Sequence, residues 1–341
     1  MTTHSAKRIV IIGGGPAGYE AALVGARYGA DITLIEDTGL GGSAVIDDCV
    51  PSKSFIAGAN VKTDLRRAED MGLSMKLSED AAEPGATRLV TALNGRVRQL
   101  AGKQSNDISR SVERAGVRIV AGRGTFDDYN LNQTVHYIRV EHTDGTVETI
   151  ECDLVLVATG ASPRILPGAQ PDGERIVTWR QIYNITELPE HLIVVGSGVT
   201  GAEFVSAFAE LGVKVTMVAS RDRILPHDDA DAADVLETVL TERGVSLVKH
   251  ARVDSVVRTD DGGVLVRTSD GREIRGSHAL MTVGSIPNTQ NMGVDAIGME
   301  TTPSGHIKVD RVSRTNVPGV YAAGDCTDLF PLASVAAMQG R

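Results

Sequence analysis

Residues 9–18 read IVIIGGGPAG and residues 192–201 read LIVVGSGVTG. Each is a short apolar run feeding a G-x-G-x-x-G: Gly13, Gly15 and Gly18 in the first, Gly196, Gly198 and Gly201 in the second. One offset of 183 (196 minus 13) relates all three glycine pairs, and it also relates Glu20 to Glu203 and Gly29 to Gly212. A single motif of this kind is weak evidence. Two of them, each after an apolar strand and before a helical pattern, point to two dinucleotide sites in one polypeptide. The first glycine permits the tight strand-to-helix turn, the second lets a pyrophosphate approach the backbone, and the third lets the helix pack close to the sheet. The helix N-terminus then offers unpaired N–H groups and the positive end of its dipole to the phosphates. Gly29 and Gly212 fall where each helix should stop, as residues able to take a positive φ.

The same plan extends outward from each fingerprint. Around the first, the pattern predicts a strand at 8–12, a helix at 16–28 and a strand at 31–35. A helical region begins near Pro51, and spaced Leu, Val and Ile make 88–115 an amphipathic helix. Strands follow at 117–121, 135–141 and 147–152, the last two joined by the turn Thr143-Asp144-Gly145, and DLVLVATG (153–160) reads as a buried strand. Around the second, a helix at 200–211 and a strand at 214–218 lead to strand-like segments at 253–257, 264–268 and 273–275, then to ALMTVG (279–284). A proline follows both terminal strands, in ASPR (161–164) and SIPN (285–288). VYAAGD (320–325) is a further strand, and the helix from Leu332 reaches Arg341 without a cap, which reads as a piece cut from a longer protein. The duplication predicts an α/β fold of two Rossmann-like dinucleotide-binding domains, the second inserted in the first. Each is a doubly wound parallel sheet with an antiparallel meander as its crossover. The boundaries fall at 1–168, 169–289 and 290–341, the last returning to the first domain.

Bulk properties narrow the function. A net charge of −10 lacks the basic footprint of a nucleic-acid or anionic-membrane binder. No apolar run approaches the roughly 18 residues of a membrane span. The four apolar residues before Gly13 make a first strand and not a signal peptide. Three widely separated cysteines do not form a secreted disulfide framework. These features describe a soluble, cytoplasmic protein. The eight histidines show no metal-ligand spacing, and H-E-x-x-H, C-x-x-C and nucleophile-elbow motifs are absent, so no metal is expected. His227, beside Leu225-Pro226, reads as a loop residue.

The ends of the two second strands differ. Glu36 stands 23 residues after Gly13 (36 minus 13), where a carboxylate can accept both ribose hydroxyls of an adenosine. The matching position after Gly196 is Ala219, followed by Arg221 and Arg223. An acid repels a 2′-phosphate, whereas a guanidinium binds one bidentately. The second site is therefore expected to accept NADPH.

Residues 41–53, GGSAVIDDCVPSK, carry a family resemblance. The stretch resembles the active-site segment of the flavoprotein disulfide reductases, whose usual pattern is G-G-T-C-x-x-x-x-C-x-P-S-K. The twin fingerprints, ATG at 158–160 and TNVPGVYAAGD (315–325) resemble that family too, so the likeness spans the chain. It implies that Gly13, Gly15, Gly18 and Glu36 hold the ADP half of FAD, with Thr159 and Gly160 also in the cofactor site and Asp325 at the ribityl chain. It implies that Gly196, Gly198, Gly201, Glu203 and Gly284 belong to the NAD(P)H site. It further implies a buried ion pair between Lys53 and Glu203 beside the flavin, and a homodimer for the full-length protein.

One departure stands out: the family's first cysteine falls on Ala44, while Cys49 matches the second. A redox disulfide needs two thiols within bonding distance. Cys152 and Cys326 are not spaced to replace position 44 and read as small packing residues. Dithiol relay is then excluded. The chain is similar to a lipoamide-dehydrogenase-like branch of NAD(P)H:quinone reductases, which implies transfer from flavin straight to a small quinone. Catalytic roles fall on Lys53, Glu203 and Cys49, the last as a flavin neighbour rather than an obligatory thiol. Asp47 and Asp48 are candidate proton donors or solvated loop acids. The alternatives are a soluble pyridine nucleotide transhydrogenase and a flavin-binding redox sensor module.

Overall fold

The computed structural model of the chain describes residues 6–73, 85–127 and 135–341. The described residues divide into two compact units, those within 1–46, 101–162 and 285–341 forming one and those within 47–100 and 163–284 the other.

The first unit is built on a seven-stranded sheet. Its order is Val320–Ala322, Leu154–Val157, Arg8–Ile12, Asp31–Glu36, Arg118–Phe126, His136–His142, Val147–Cys152. The first five strands run parallel and the last two fold back as an antiparallel meander. Period-two alternation sends Val10 and Ile12 to one face and Ile11 to the other, and both faces are covered. Helix Pro16–Arg27 covers one face through Ala17 and Ala22, together with Ala336 of Ala333–Gly340. The other face packs on Met292, Ile297 and Ile307 from the returning chain.

The second unit has a five-stranded parallel sheet, Ser246–Val248, Lys214–Val218, His191–Val195, His278–Met281, Ile176–Thr178, and a separate antiparallel sheet of Val253–Arg258, Val264–Thr268 and Glu273–Gly276. One face of the parallel sheet buries Leu192, Val194 and Met217 under Phe204 and Phe208 of helix Val199–Glu210. The opposite face meets the small sheet through Ile193, Val195, Val256 and Val266.

Elements that lie outside those marked from the sequence include helix Ala230–Glu242 and the edge strands Ile176–Thr178 and Ser246–Val248. Both strands have three residues, too short for an alternation to stand out. Helix Cys49–Asp70 starts two residues before Pro51, which sits in the first turn, where a missing N–H costs nothing. Residues 47–100, placed with the first domain by a division at 168/169, cluster instead with the second unit. Phe55, Ala59, Val90, Leu93 and Val97 share a core with Phe204 and Phe208.

Candidate functional site

The two glycine turns are near copies. Strand Arg8–Ile12 corresponds to His191–Val195 and helix Pro16–Arg27 to Val199–Glu210, each pair offset by 183 (191 minus 8, 199 minus 16). The Gly13 N–H donates to Ile35 C=O at 2.8 Å and the Gly196 N–H to Val218 C=O at 2.9 Å. Gly13 has φ 106° and Gly196 φ 117°, conformations that suit glycine. A Cβ on Gly13 would lie 2.3 Å from Ala158 O, and one on Gly196 would lie 2.3 Å from Thr282 O. The third glycines are as tight: a Cβ on Gly18 would meet Gly13 O at 1.9 Å, and one on Gly201 would meet Gly196 O at 2.3 Å.

The second glycines are different. Gly15 and Gly198 cap their helices with extended backbone, φ −68° and −76°, which any residue adopts. A Cβ on Gly15 would find nothing nearer than Gly42 Cα at 4.0 Å, and one on Gly198 nothing within 4 Å. The fold does not require glycine at either place. Both leave a bare concave backbone ahead of a helix N-terminus with no side-chain cap, which is the cradle a pyrophosphate needs.

In the first unit, Glu36 ends its strand in a fixed pose. One carboxylate oxygen accepts the Gly14 N–H at 2.6 Å; the other accepts the Thr38 N–H at 2.8 Å and the Thr38 hydroxyl at 2.7 Å. Asp325 is half-buried, burial raises its carboxyl above the usual carboxylate range with His306 opposing, and it has no hydrogen-bond donor among the described residues. Such a group is suited to accept hydroxyls from a bound polyol chain. Thr159 and Gly160 are held by Asn288, a residue that the sequence reading missed: Asn288 Nδ2 donates to Thr159 C=O, Thr159 Oγ1 donates to Asn288 C=O, both at 2.9 Å, and Asn288 N–H donates to Gly160 C=O. The proline after each terminal strand was the available signal. These residues fit FAD.

In the second unit, Ala219 is buried directly after Lys214–Val218. Arg221 is exposed and has no ion-pair partner among the described residues; Arg223 donates to Asp228 C=O at 3.4 Å. Gly284 takes φ 90° and accepts the Arg164 N–H.

Lys53 and Glu203 meet within this unit, with Nζ donating to the two carboxylate oxygens at 2.7 and 3.0 Å. Ser52, Phe55 and Ala59 bury one stripe of their helix, which sets Lys53 on its edge, and Phe204 and Phe208 bury the facing stripe beside Glu203. The pair is not buried as expected: the Lys53 side chain is 58% and Glu203 25% exposed. At that exposure it contributes only about 0–1 kcal/mol to stability. Lys53 also donates to the buried Ser52 hydroxyl at 3.3 Å. Tyr183, ringed by Phe55 and Phe204, is held protonated by burial, with the charges of Asp48, Glu203 and Asp47 adding to the shift. Asp47 lies 3.4 Å from Arg180, and burial raises its carboxyl. Sequence reasoning missed Ser52, which adjoins Lys53 in the chain, and also Tyr183 and Arg180, which packing alone brings near Glu203 and Asp47 respectively.

None of the three cysteines is in a disulfide. Cys152 and Cys326 are buried in the core, where loss of solvent pushes their thiols up to about 12 and about 11. Cys49 is half-buried at the first position of its helix. Among the described residues no helix is long and apolar enough to cross a membrane.

Two Rossmann-type units with paired nucleotide cradles define a flavin- and pyridine-nucleotide-dependent oxidoreductase. Comparison with known proteins agrees. Residues 7–340 match the family model described as pyridine nucleotide-disulphide oxidoreductase, and the chain belongs to this family. Its cofactors are FAD and NAD(P)H. It is 55% identical to an NAD(P)H dehydrogenase (quinone) of Mycobacterium tuberculosis, over 98% of this chain and 67% of that protein. It is 32% identical to a dihydrolipoyl dehydrogenase of Chlorobaculum tepidum, over 93% and 65%. The crystal structure of LpdA from M. tuberculosis superposes with a TM-score of 0.91 at 55% identity, over 98% of this chain and 71% of that one. RclA of Escherichia coli, at 23% identity and a TM-score of 0.81, shares the fold.

Proposed function

We propose that this chain is an NAD(P)H:quinone oxidoreductase that passes electrons to its acceptor without a dithiol relay. The observation that carries the reading is Ala44, a methyl group where the family pattern has its first redox cysteine. The M. tuberculosis relative's name supports a quinone as acceptor. FAD, when bound, supplies two-electron acceptance from NAD(P)H and release to a flat acceptor.

The protein's own part is placement. Gly13, Gly15 and Gly18 present backbone to the pyrophosphate, Glu36 takes the adenosine ribose, Asp325 accepts from the ribityl chain, and Thr159 and Gly160 line the same site. Gly196, Gly198, Gly201 and Gly284 serve the nicotinamide nucleotide, with Arg221 and Arg223 on its 2′-phosphate. Lys53 holds a positive charge in place through Glu203. Cys49 is a neighbour of the flavin and not a relay. The same reading takes the working protein as a cytoplasmic homodimer.

The test is an anaerobic titration of the flavin-loaded protein with NADPH. One hydride equivalent bleaches the flavin with no charge-transfer band, and Ala44→Cys, which restores the pattern, adds a second equivalent. Uptake of two equivalents by the unaltered protein, or brisk turnover of a dithiol, overturns the reading.

A further inference from the structure

The loop bearing Arg221 and Arg223 is fastened from several sides. The Leu225 N–H donates to Ser197 C=O at 2.8 Å, and the Ser197 hydroxyl donates to Arg223 C=O at 3.4 Å. Ser197 lies between Gly196 and Gly198, so the phosphate turn and the arginine loop are laced together. From the other side, the His250 N–H donates to Arg221 C=O at 3.1 Å. Leu225 (φ 45°) and His250 (φ 52°) both sit in the left-handed region, which a side-chain-bearing residue keeps only where its surroundings hold it. Arg272 contributes by donating to the carbonyls of Lys249 and His250 at 3.3 and 3.1 Å.

Glu237, on helix Ala230–Glu242, joins these two strained segments. One carboxylate oxygen accepts the Ile224 N–H at 2.9 Å and the other pairs with Lys249 Nζ. Its side chain is only 14% exposed, so the carboxylate is committed to these two donors rather than to water. Lys249 precedes His250, and Ile224 precedes Leu225. A single side chain thus bridges the residues just before both left-handed positions. The Arg221 guanidinium, in contrast, is exposed and has no ion-pair partner among the described residues.

We propose that Glu237 is a specificity-positioning residue: by tying Ile224 to Lys249 it holds the Arg221–Arg223 loop in the shape that takes the 2′-phosphate of NADPH. This rests on the reading that the loop receives that phosphate. Position and charge predict opposite signs. A carboxylate near an anion site repels the anion, so if Glu237 acted through its charge its removal would tighten binding. If it acts by holding the loop, removal weakens binding.

The experiment is calorimetric binding of 2′,5′-ADP and 5′-AMP to the flavin-loaded protein and to its Glu237→Ala, Glu237→Gln and Lys249→Met variants. The unaltered protein binds 2′,5′-ADP more tightly. Glu237→Ala weakens 2′,5′-ADP roughly tenfold, the weight of one charge-assisted hydrogen bond, and leaves 5′-AMP unchanged. Glu237→Gln, which keeps an acceptor for Ile224, and Lys249→Met fall between, and either one carries the test if the alanine variant does not fold. Tighter 2′,5′-ADP binding, or equal weakening of both ligands, overturns the proposal. No preference for 2′,5′-ADP in the unaltered protein instead sinks the underlying phosphate reading.

Discussion

Up to the end of their second strands the two units are built alike; beyond that point they part. Asp31–Glu36 and Lys214–Val218 begin at matched positions, but one ends in a clamped carboxylate and the other runs into a buried alanine and two arginines. The third strands differ as well. Arg118–Phe126 is long enough to pair with Asp31–Glu36 along its first half and with the meander along its second, so the meander joins the main sheet. Ser246–Val248 stops after three residues, His250 turns left-handed, and the meander forms its own sheet. Backbone geometry for a pyrophosphate is set at the turn, and it is shared. On the proposed reading, selectivity is set at the strand ends and the loops behind them, where the two copies differ.

That comparison can be broken most forcefully at the glycines. Gly13→Ala should destabilise the first unit by several kcal/mol, from left-handed strain of about 1–3 kcal/mol and overpacking of about 1–3 kcal/mol against Ala158. Gly198→Ala, with open space around it, should leave the melting temperature near that of the unaltered protein while NADPH affinity drops. Thermal melts with flavin content and NADPH titration check both. Equal loss of stability in the two variants would remove the distinction between packing glycines and ligand glycines.

The strand ends are the next place to press. Replacing Arg221 and Arg223 together with alanine should raise KM for NADPH about 10- to 100-fold, the scale of one or two charged hydrogen bonds, and leave KM for NADH unchanged. Paired steady-state runs measure it, and a parallel rise for NADH would assign the loop to folding.

The smallest effect belongs to Asp325. Its folded carboxyl titrates above its unfolded value, so the native state holds that proton more tightly, and the flavin-free protein loses stability as pH rises through this range. Asp325→Asn should flatten that dependence and raise the flavin-free melting temperature slightly at neutral pH, while flavin is released more readily. A steeper pH profile in the variant would contradict the assignment.

The fingerprints, their strands and their helices were legible because glycine spacing and apolar runs are local. Lys214–Val218 and Val264–Thr268 fall where the pattern put them. Helix Ala230–Glu242 was not marked, although Ala233 and Leu240 on it are buried. The allegiance of residues 47–100 was illegible, because it depends on Phe55 meeting Phe208, 153 positions later (208 minus 55), at 5.2 Å between ring centroids. Asn288 escaped notice for the same reason, since it acts on Thr159, far away in the chain, and Glu237 because its two partners lie on loops on either side of its unmarked helix.

By itself the sequence determined that two nucleotide cradles exist, that one ends in Glu36 and the other in arginines, and that position 44 carries no sulfur. These follow from residue type and short-range spacing, which the backbone converts directly into turns and helix starts. Only the tertiary structure decided how exposed the Lys53–Glu203 pair is, which residues pin Thr159 and Gly160, and what holds the arginine loop. Those depend on burial and on hydrogen bonds between distant segments, and neither exists until the chain has packed.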